Sequence, residues 1–264
     1  LEQSGVAIDT RTRAMSQWCD PLVTRLASKT VQLGDCCGFV VVCSWPMPSV
    51  VVEKYTEFKA HLSRVMPKEA YTYPAEALHL TVATLRSFHG PNLDDAAKEN
   101  RRLLWTPILT AARAMSGWPD GGFRVKMLAP TFEGSAVIFR YEDMDGAIEA
   151  MRRCIIQAIS EAGGSAALGG GDRSQGRPPL GAASDDPPPH VPNILHSTVL
   201  RWAEEPADRE AAKAAFASVA DSWEPIQVPV HGARAVLEDA PYMHIPVDAS
   251  HIWWESDSAP AQKL

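Results

Sequence analysis

The chain has 264 residues, of which 45% are hydrophobic and 22% charged, a composition typical of a globular protein with a sizeable buried core. Its formal charge of −7 argues against a long nucleic-acid footprint, which needs a basic surface, but allows a local pocket for one nucleotide or RNA end. No segment approaches the ~18 apolar residues that a membrane span requires, so we expect no membrane partner, and we expect a monomer.

The first 35 residues show no clear hydrophobic period, and we interpret them as an N-terminal extension. Basic residues outnumber acidic ones over positions 1–30, which gives the extension a weak likeness to an organelle transit segment. The five cysteines are odd in number and form no C-x-x-C pair, which fits neither a disulfide framework nor a zinc site. We therefore expect a cytoplasmic protein, with organelle targeting as the alternative.

Two strands and two helices are predicted next. Gly38 to Trp45 is a Val-rich apolar run, the pattern of a buried strand. Apolar residues at steps of three and four from Val51 to Val65 predict an amphipathic helix. Leu78 to Leu85 is predicted as a strand, and residues 94–117 as a helix that Pro107 must start, break or kink.

The second half of the chain repeats this mixture. Phe123 to Leu128 and Ser135 to Tyr141 are predicted strands, followed by a helix that Asp143 caps and whose inward face carries Ile148, Met151, Ile155 and Ile159. The remaining elements are a strand from Asn193 to Trp202, an Ala-rich helix over 206–221, and a closing antiparallel pair over 226–237 and 242–248.

Residues 163–192 are dense in Gly, Pro, Ser and Asp, and cannot bury enough apolar surface to offset their ordering entropy. We predict a flexible insertion there, and a disordered tail over 255–264. Residues 36–254 then form a single domain around the insertion. Helices and strands mix without a regular βαβ rhythm, which favours an α+β fold over a doubly wound sheet.

One short pattern occurs twice, 117 residues apart. The two copies, residues 78–82 and 195–199, read Leu-His-Leu-Thr-Val and Leu-His-Ser-Thr-Val and agree at four of five positions. Because side chains alternate along a strand, the His and Thr of each copy share one face and the apolar residues share the other. Ser197 is the one polar residue on an apolar face.

Two imidazoles and two hydroxyls around one cavity suit phosphodiester cleavage. His79 and His196 can divide the general-base and general-acid roles, since an imidazole titrates near neutrality. Thr81 and Thr198 can donate hydrogen bonds to the non-bridging oxygens, where charge builds in the transition state. This chemistry needs no metal and no cofactor, and the sequence lacks the carboxylate cluster that two-metal phosphodiesterases use.

A His-x-Ser/Thr pattern is weak by itself, and the ordinary alternative is a histidine that is packed or faces solvent. His61-Leu62-Ser63 also fits the pattern, but it lies in a predicted helix, where positions two apart point to nearly opposite sides. Two copies that agree at four of five positions, both on strands, favour the functional interpretation.

The paired strands resemble those of the 2H (two-histidine) phosphoesterase superfamily, which includes 2′,3′-cyclic phosphodiesterases and 2′-5′ RNA ligase-like proteins. The resemblance spans roughly residues 36–254 by order of elements, and at residue level it is confined to the motifs and their flanks. It implies a bilobal, pseudo-symmetric fold with antiparallel sheets lining a central cleft and helices outside. It also implies catalytic roles for His79 and His196 and phosphate-binding roles for Thr81 and Thr198.

Four further residues are candidate substrate contacts. Arg201 matches an arginine that often follows the second motif in bacterial members, although on a regular strand it would face away from the histidine. Trp45, Tyr73 and Trp202 lie near strand ends, where an aromatic ring can stack on a base. The alternative, which we favour for all three, is packing in the core or its rim. The serine in the second copy and the Gly/Pro-rich insertion depart from the family pattern, which affects the expected substrate more than the chemistry.

We therefore predict a phosphoric diester hydrolase that acts on a 2′,3′-cyclic phosphate, or in second place on a 2′-5′ linkage, in a nucleotide or RNA end. One alternative is a nucleotide-binding module that kept the pocket and lost turnover. The other is an exonuclease that trims RNA 3′ ends, with protein partners supplying the affinity that an acidic surface lacks.

Overall fold

The computed structural model describes residues 19–162 and 189–257. Residues 1–18 of the predicted extension, 163–188 of the predicted insertion and 258–264 of the predicted tail lie outside the described residues. The helices of the described part are α1 (Pro21–Ala27), α2 (Ser49–Val65), α3 (Asp95–Arg113), α4 (Ala147–Glu161) and α5 (Arg209–Ala220).

The strands of the described residues form two antiparallel sheets. They are β1 (Gly38–Cys43), β2 (Ala70–Thr72), β3 (Leu80–Arg86), β4 (Phe123–Glu133), β5 (Ala136–Asp143), β6 (His196–Trp202), β7 (Ile226–Val230), β8 (Ala233–Glu238) and β9 (Ile252–Glu255). One sheet has the order β3-β1-β8-β9 and the other β2-β6-β5-β4-β7. The predicted α+β class with antiparallel sheets is confirmed, and the two copies of the motif lie in different sheets.

The hydrophobic core lies between the helices and one face of each sheet. Side chains such as Tyr55 of α2, Leu109 of α3, Ile155 of α4 and Phe216 of α5 belong to one continuous cluster with apolar residues of both sheets. The opposite face of the four-stranded sheet packs a smaller cluster, to which β1 and β8 contribute Val40, Val42 and Val236. Strand β1 is therefore buried on both faces, which explains its uninterrupted apolar sequence.

The helical predictions are confirmed at their buried positions. Helix α4 buries all four residues predicted to face inward, Ile148, Met151, Ile155 and Ile159. Asp143 caps the helix from four residues upstream, since its carboxylate accepts hydrogen bonds from the backbone N–H groups of Ala147 and Glu149, both at 3.0 Å. Helix α3 continues through Pro107, which neither starts nor ends it.

The predicted closing strand pair is wrong. The segment 226–237 is two strands in different sheets, β7 and β8, separated where Gly232 adopts φ +125°. The partner of β8 is β9, and the segment 242–248 is not a strand. Tyr242 and Met243 both adopt positive φ, which breaks an extended chain, while Met243 and Ile245 are buried in the smaller cluster. The apolar alternation that suggested a strand comes from this burial.

Residues 19–27 pack on the five-stranded sheet. Helix α1 contacts β2 and β6, and the Thr24 hydroxyl donates a hydrogen bond to the Ala203 carbonyl at 2.5 Å. The boundary of the domain at residue 36 stays a prediction. None of the helices in the described residues combines the length and apolar character that crossing a membrane would take.

Candidate active site

The first motif strand contains a β-bulge directly after the threonine. In β3, Val82 is an extra residue between two residues that pair with successive positions of β1. Such a bulge turns two successive side chains to one face and shifts the alternation by one residue. The half-buried face of this segment therefore carries His79, Thr81 and Thr84, while Val82 lies in the core.

The second motif strand repeats the bulge at the equivalent position. In β6, Val199 is the extra residue relative to β5, so Arg201 returns to the face that carries His196 and Thr198. All three of these side chains are half-buried. The expectation that Arg201 faces away from His196 assumed a regular strand, and the bulge makes it wrong.

Each histidine is held by the carbonyl group two residues upstream. The Nδ1 atom of His79 donates to the carbonyl oxygen of Ala77 at 2.8 Å, and the ring of His196 hydrogen-bonds to the carbonyl of Ile194. Because a carbonyl oxygen only accepts, the bonded ring nitrogen carries a proton. The other nitrogen of each ring is left for proton exchange with a substrate.

Burial keeps both imidazoles neutral near pH 7. It lowers the pKa of His79 to about 4, and positive charge on His196 and His244 acts in the same direction. Burial also lowers the pKa of His196, and the charges of Arg201 and Arg140 add to that shift. His79 and His196 lie close enough that a positive charge on His196 lowers the pKa of His79, so the two imidazoles face one site.

Two buried polar side chains join the motifs, and the first is Ser197. Its hydroxyl donates to the carbonyl oxygen of His79 at 2.5 Å and accepts a hydrogen bond from the Tyr141 hydroxyl at 3.2 Å. The polar residue on the apolar face of the second motif is thus explained by a direct bond to the first motif.

Arg152 is the second link between the motifs. The residue is 3% exposed. Its guanidinium donates from Nη2 to the carbonyls of Thr81 at 3.1 Å and Ile194 at 3.4 Å, and from Nε to the carbonyl of Val82 at 3.3 Å. Its Nη1 pairs with Glu149 at 2.6 Å. One cation therefore contacts the strand behind His79 and the carbonyl that orients His196. The motifs gave no signal for this residue, because its partners are backbone groups that only the fold brings together.

Replacing Ser197 by Ala is expected to destabilise the protein by about 1–3 kcal/mol, since the His79 carbonyl and the Tyr141 hydroxyl each lose a buried partner. Urea unfolding measures the change. Ser218→Ala is the matched control, because Ser218 is exposed on α5 and bonds only to the carbonyl of Ala215 in the same helix. A Ser197→Ala variant as stable as this control would contradict the link.

An aromatic wall with Tyr71, Tyr242 and His244 stands beside the motifs. His244 accepts a hydrogen bond at Nε2 from Tyr71 at 3.0 Å, and its Nδ1 bonds to backbone carbonyls, so both ring nitrogens are occupied within the protein. The guanidinium of Arg201 lies 5.0 Å from the ring centre of Tyr242, and the Tyr242 hydroxyl donates to Asp20. We did not predict this wall, since its members come from segments far apart in sequence.

The three aromatic residues proposed as stacking partners are in the core instead. Trp45, Tyr73 and Trp202 are 2%, 2% and 0% exposed, and the Trp45 indole donates to the carbonyl of Glu76 at 2.9 Å. Their rings offer no free face to a base, which is the packing alternative that the sequence favoured.

The side chains of the site suit an anion. Imidazole, hydroxyl and guanidinium groups supply hydrogen-bond donors and positive charge, and the buried Nε of Arg201 has no hydrogen-bond partner among the described residues. Across residues 19–162 and 189–257, no cluster of three or more His, Cys, Asp or Glu side chains is arranged to hold a metal ion.

No protein-family model and no curated protein matches the chain. Several solved structures are similar to it at low sequence identity, and three of them follow. TT0787 of Thermus thermophilus is 15% identical, with 75% of this chain and 87% of that chain covered and a TM-score of 0.44. LigT of E. coli in its apo form is 14% identical, with 76% and 86% covered and a TM-score of 0.42. LigT of E. coli complexed with 3′-AMP is 11% identical, with 77% and 88% covered and a TM-score of 0.41.

Proposed function

We propose that the chain is a metal-independent 2H phosphodiesterase that hydrolyses a 2′,3′-cyclic phosphate in a nucleotide or RNA end, with a 2′-5′ linkage as the second substrate. One observation carries the proposal. Two His-x-Thr segments, each followed by a bulge at the same place, lie in different sheets, and the Ser197 hydroxyl of one donates a hydrogen bond to the His79 carbonyl of the other at 2.5 Å.

In the proposed reaction, one imidazole accepts a proton from water as the water oxygen attacks phosphorus. The other imidazole, protonated, donates its proton to the ribose oxygen as the P–O bond to that oxygen breaks. The ring opens to a phosphate monoester with no other reactant consumed. Thr81, Thr198 and Arg201 bind the non-bridging oxygens, whose negative charge grows in the transition state.

Binding of the substrate favours the protonated histidine that the reaction needs as its general acid. Both histidines are neutral near pH 7 in the free protein, so each can serve as the base. An anionic phosphate between them favours the imidazolium form and raises both pKa values. The two titrations are coupled, so each macroscopic pKa belongs to the pair.

The pH profiles are expected to differ between kcat/KM and kcat, with EDTA present throughout. Activity falls at low pH as the base is protonated, and at high pH as the acid loses its proton. In the free enzyme the alkaline limb lies below the ordinary histidine range, because burial lowers both pKa values. In the complex the phosphate raises those pKa values, so the alkaline limb of kcat lies at higher pH. Alkaline limbs at the same pH for kcat/KM and kcat would contradict the mechanism. Loss of activity on addition of EDTA would contradict it as well.

Three substrates separate the hydrolase from its alternatives. A 2′,3′-cyclic nucleotide, a 2′-5′ dinucleotide and a short 3′-uridylated RNA are incubated with the protein, and products are resolved by chromatography. We expect ring opening of the cyclic phosphate to be fastest. Binding of the nucleotides without turnover of any substrate would establish a binding module, and shortening of the RNA alone would establish end trimming.

A further inference from the structure

Arg140 of β5 and Glu133 at the end of β4 form an ion pair beside His196. Arg140 of β5 is the direct register partner of His196 in β6, and directly opposite residues of an antiparallel pair share a face. The pKa of His196 agrees with this register, because the charge of Arg140 lowers it and the charge of Glu133 raises it. The pair therefore lies beside His196, on the side of β6 that faces β5.

The geometry and exposure of this ion pair allow a phosphate to replace the Glu133 carboxylate on Arg140. Arg140 donates to the carboxylate of Glu133 through Nε at 2.7 Å and Nη2 at 2.8 Å, the bidentate geometry in which a guanidinium also binds phosphate. The two side chains are 44% and 35% exposed, so a ligand reaches them from solvent. An exposed ion pair of this kind contributes little to stability, so little is lost when a phosphate replaces the carboxylate.

We propose that Arg140 forms a second phosphate subsite, gated by Glu133, and that the preferred substrate is an oligonucleotide with a cyclic phosphate end. The inference rests on the proposed function. A cyclic mononucleotide has one phosphate, which the histidines, threonines and Arg201 bind, and leaves Arg140 with no ligand group. An RNA end has another phosphate one nucleotide away. Arg140 can bind one such phosphate. One additional phosphate contact does not need a basic surface, so it agrees with the net negative charge of the chain.

The test compares 2′,3′-cyclic UMP with the dinucleotide UpU that ends in a 2′,3′-cyclic phosphate. The readout is the ratio of kcat/KM for the dinucleotide to that for the mononucleotide, in which any effect of Arg140 on His196 cancels. We expect Arg140→Met to lower this ratio about tenfold, mainly through KM for the dinucleotide. Glu133→Gln is expected to raise the ratio, because it frees the guanidinium.

Arg124→Met is the matched control, since Arg124 is an exposed arginine of the same sheet that bonds to Gln227 and lies one strand further from His196. Its ratio should stay within twofold of the wild type. An Arg140→Met ratio equal to that of the control overturns the subsite while the hydrolase stands.

Calorimetry keeps the subsite testable if the protein turns nothing over. The ligands are 3′-UMP and UpU with a 3′-phosphate, neither of which carries a cyclic ester to hydrolyse. Tighter binding of the dinucleotide, lost in Arg140→Met and kept in Arg124→Met, supports the subsite even without turnover. Equal affinities for the two ligands overturn it.

Discussion

Replacing either His79 or His196 by Ala is expected to lower kcat for a 2′,3′-cyclic nucleotide by more than ~100-fold, because each imidazole transfers a proton in the transition state. The losses should not add. Once one proton transfer is missing, the other histidine has less to contribute, so the double variant is expected to be little worse than either single one. Initial rates under substrate saturation, with each variant's fold checked by circular dichroism, measure the effect.

His61→Ala is the control for this experiment. His61 begins a His-x-Ser pattern like those of the motifs but is exposed on α2, so its removal should leave kcat unchanged. A loss of kcat below tenfold on replacing either motif histidine would contradict the paired acid–base mechanism. Equal losses in His61→Ala would show that the motif positions are not special.

The second large effect is expected on stability. Arg152→Met keeps much of the side-chain volume but removes the donors to three buried or partly buried carbonyl groups, and we expect a loss of about 3 kcal/mol in the free energy of unfolding. Since two of those carbonyls belong to Thr81 and Ile194, the motifs also lose a shared support. Nucleotide affinity should therefore fall more than the loss of folded protein explains.

Arg153→Met is the same chemical change at the next residue of α4. Arg153 is exposed, so its replacement should alter the unfolding free energy by less than about 0.5 kcal/mol. Chemical denaturation of the two variants side by side gives the comparison. Similar values for both would show that the buried guanidinium does not hold the motifs together.

The sequence predicted most of what depends on local periodicity. The half-buried exposure of His79 and Thr81, against the buried Leu78, Leu80 and Val82, follows from strand alternation alone. The apolar stripes of α2 and α4 were equally clear. These patterns are visible because each element must turn its own apolar residues toward one core.

The features that escaped prediction depend on partners distant in sequence. A bulge exists only relative to a neighbouring strand, so no pattern within 195–202 reveals that Arg201 turns toward the site. The roles of Ser197 and Arg152 consist of bonds to backbone carbonyls more than 40 residues away. The segment 242–248 was predicted wrongly for a related reason. A segment that packs on the face of a sheet and a strand within the sheet both bury alternate apolar residues, so their sequences look alike.

The matching bulges have a consequence for anyone who would rebuild this site on another scaffold. Grafting the two histidines, the two threonines and Arg201 onto regular strands would turn Arg201 to the opposite face of its strand, however well the histidines were placed. Removing Val199 from the natural chain would do the same by changing the residue count and no functional side chain. A design must therefore copy the backbone of six consecutive residues, 196–201, including the extra residue of the bulge. The first check on such a design is whether the side chain of its sixth residue lies on the same face as the histidine.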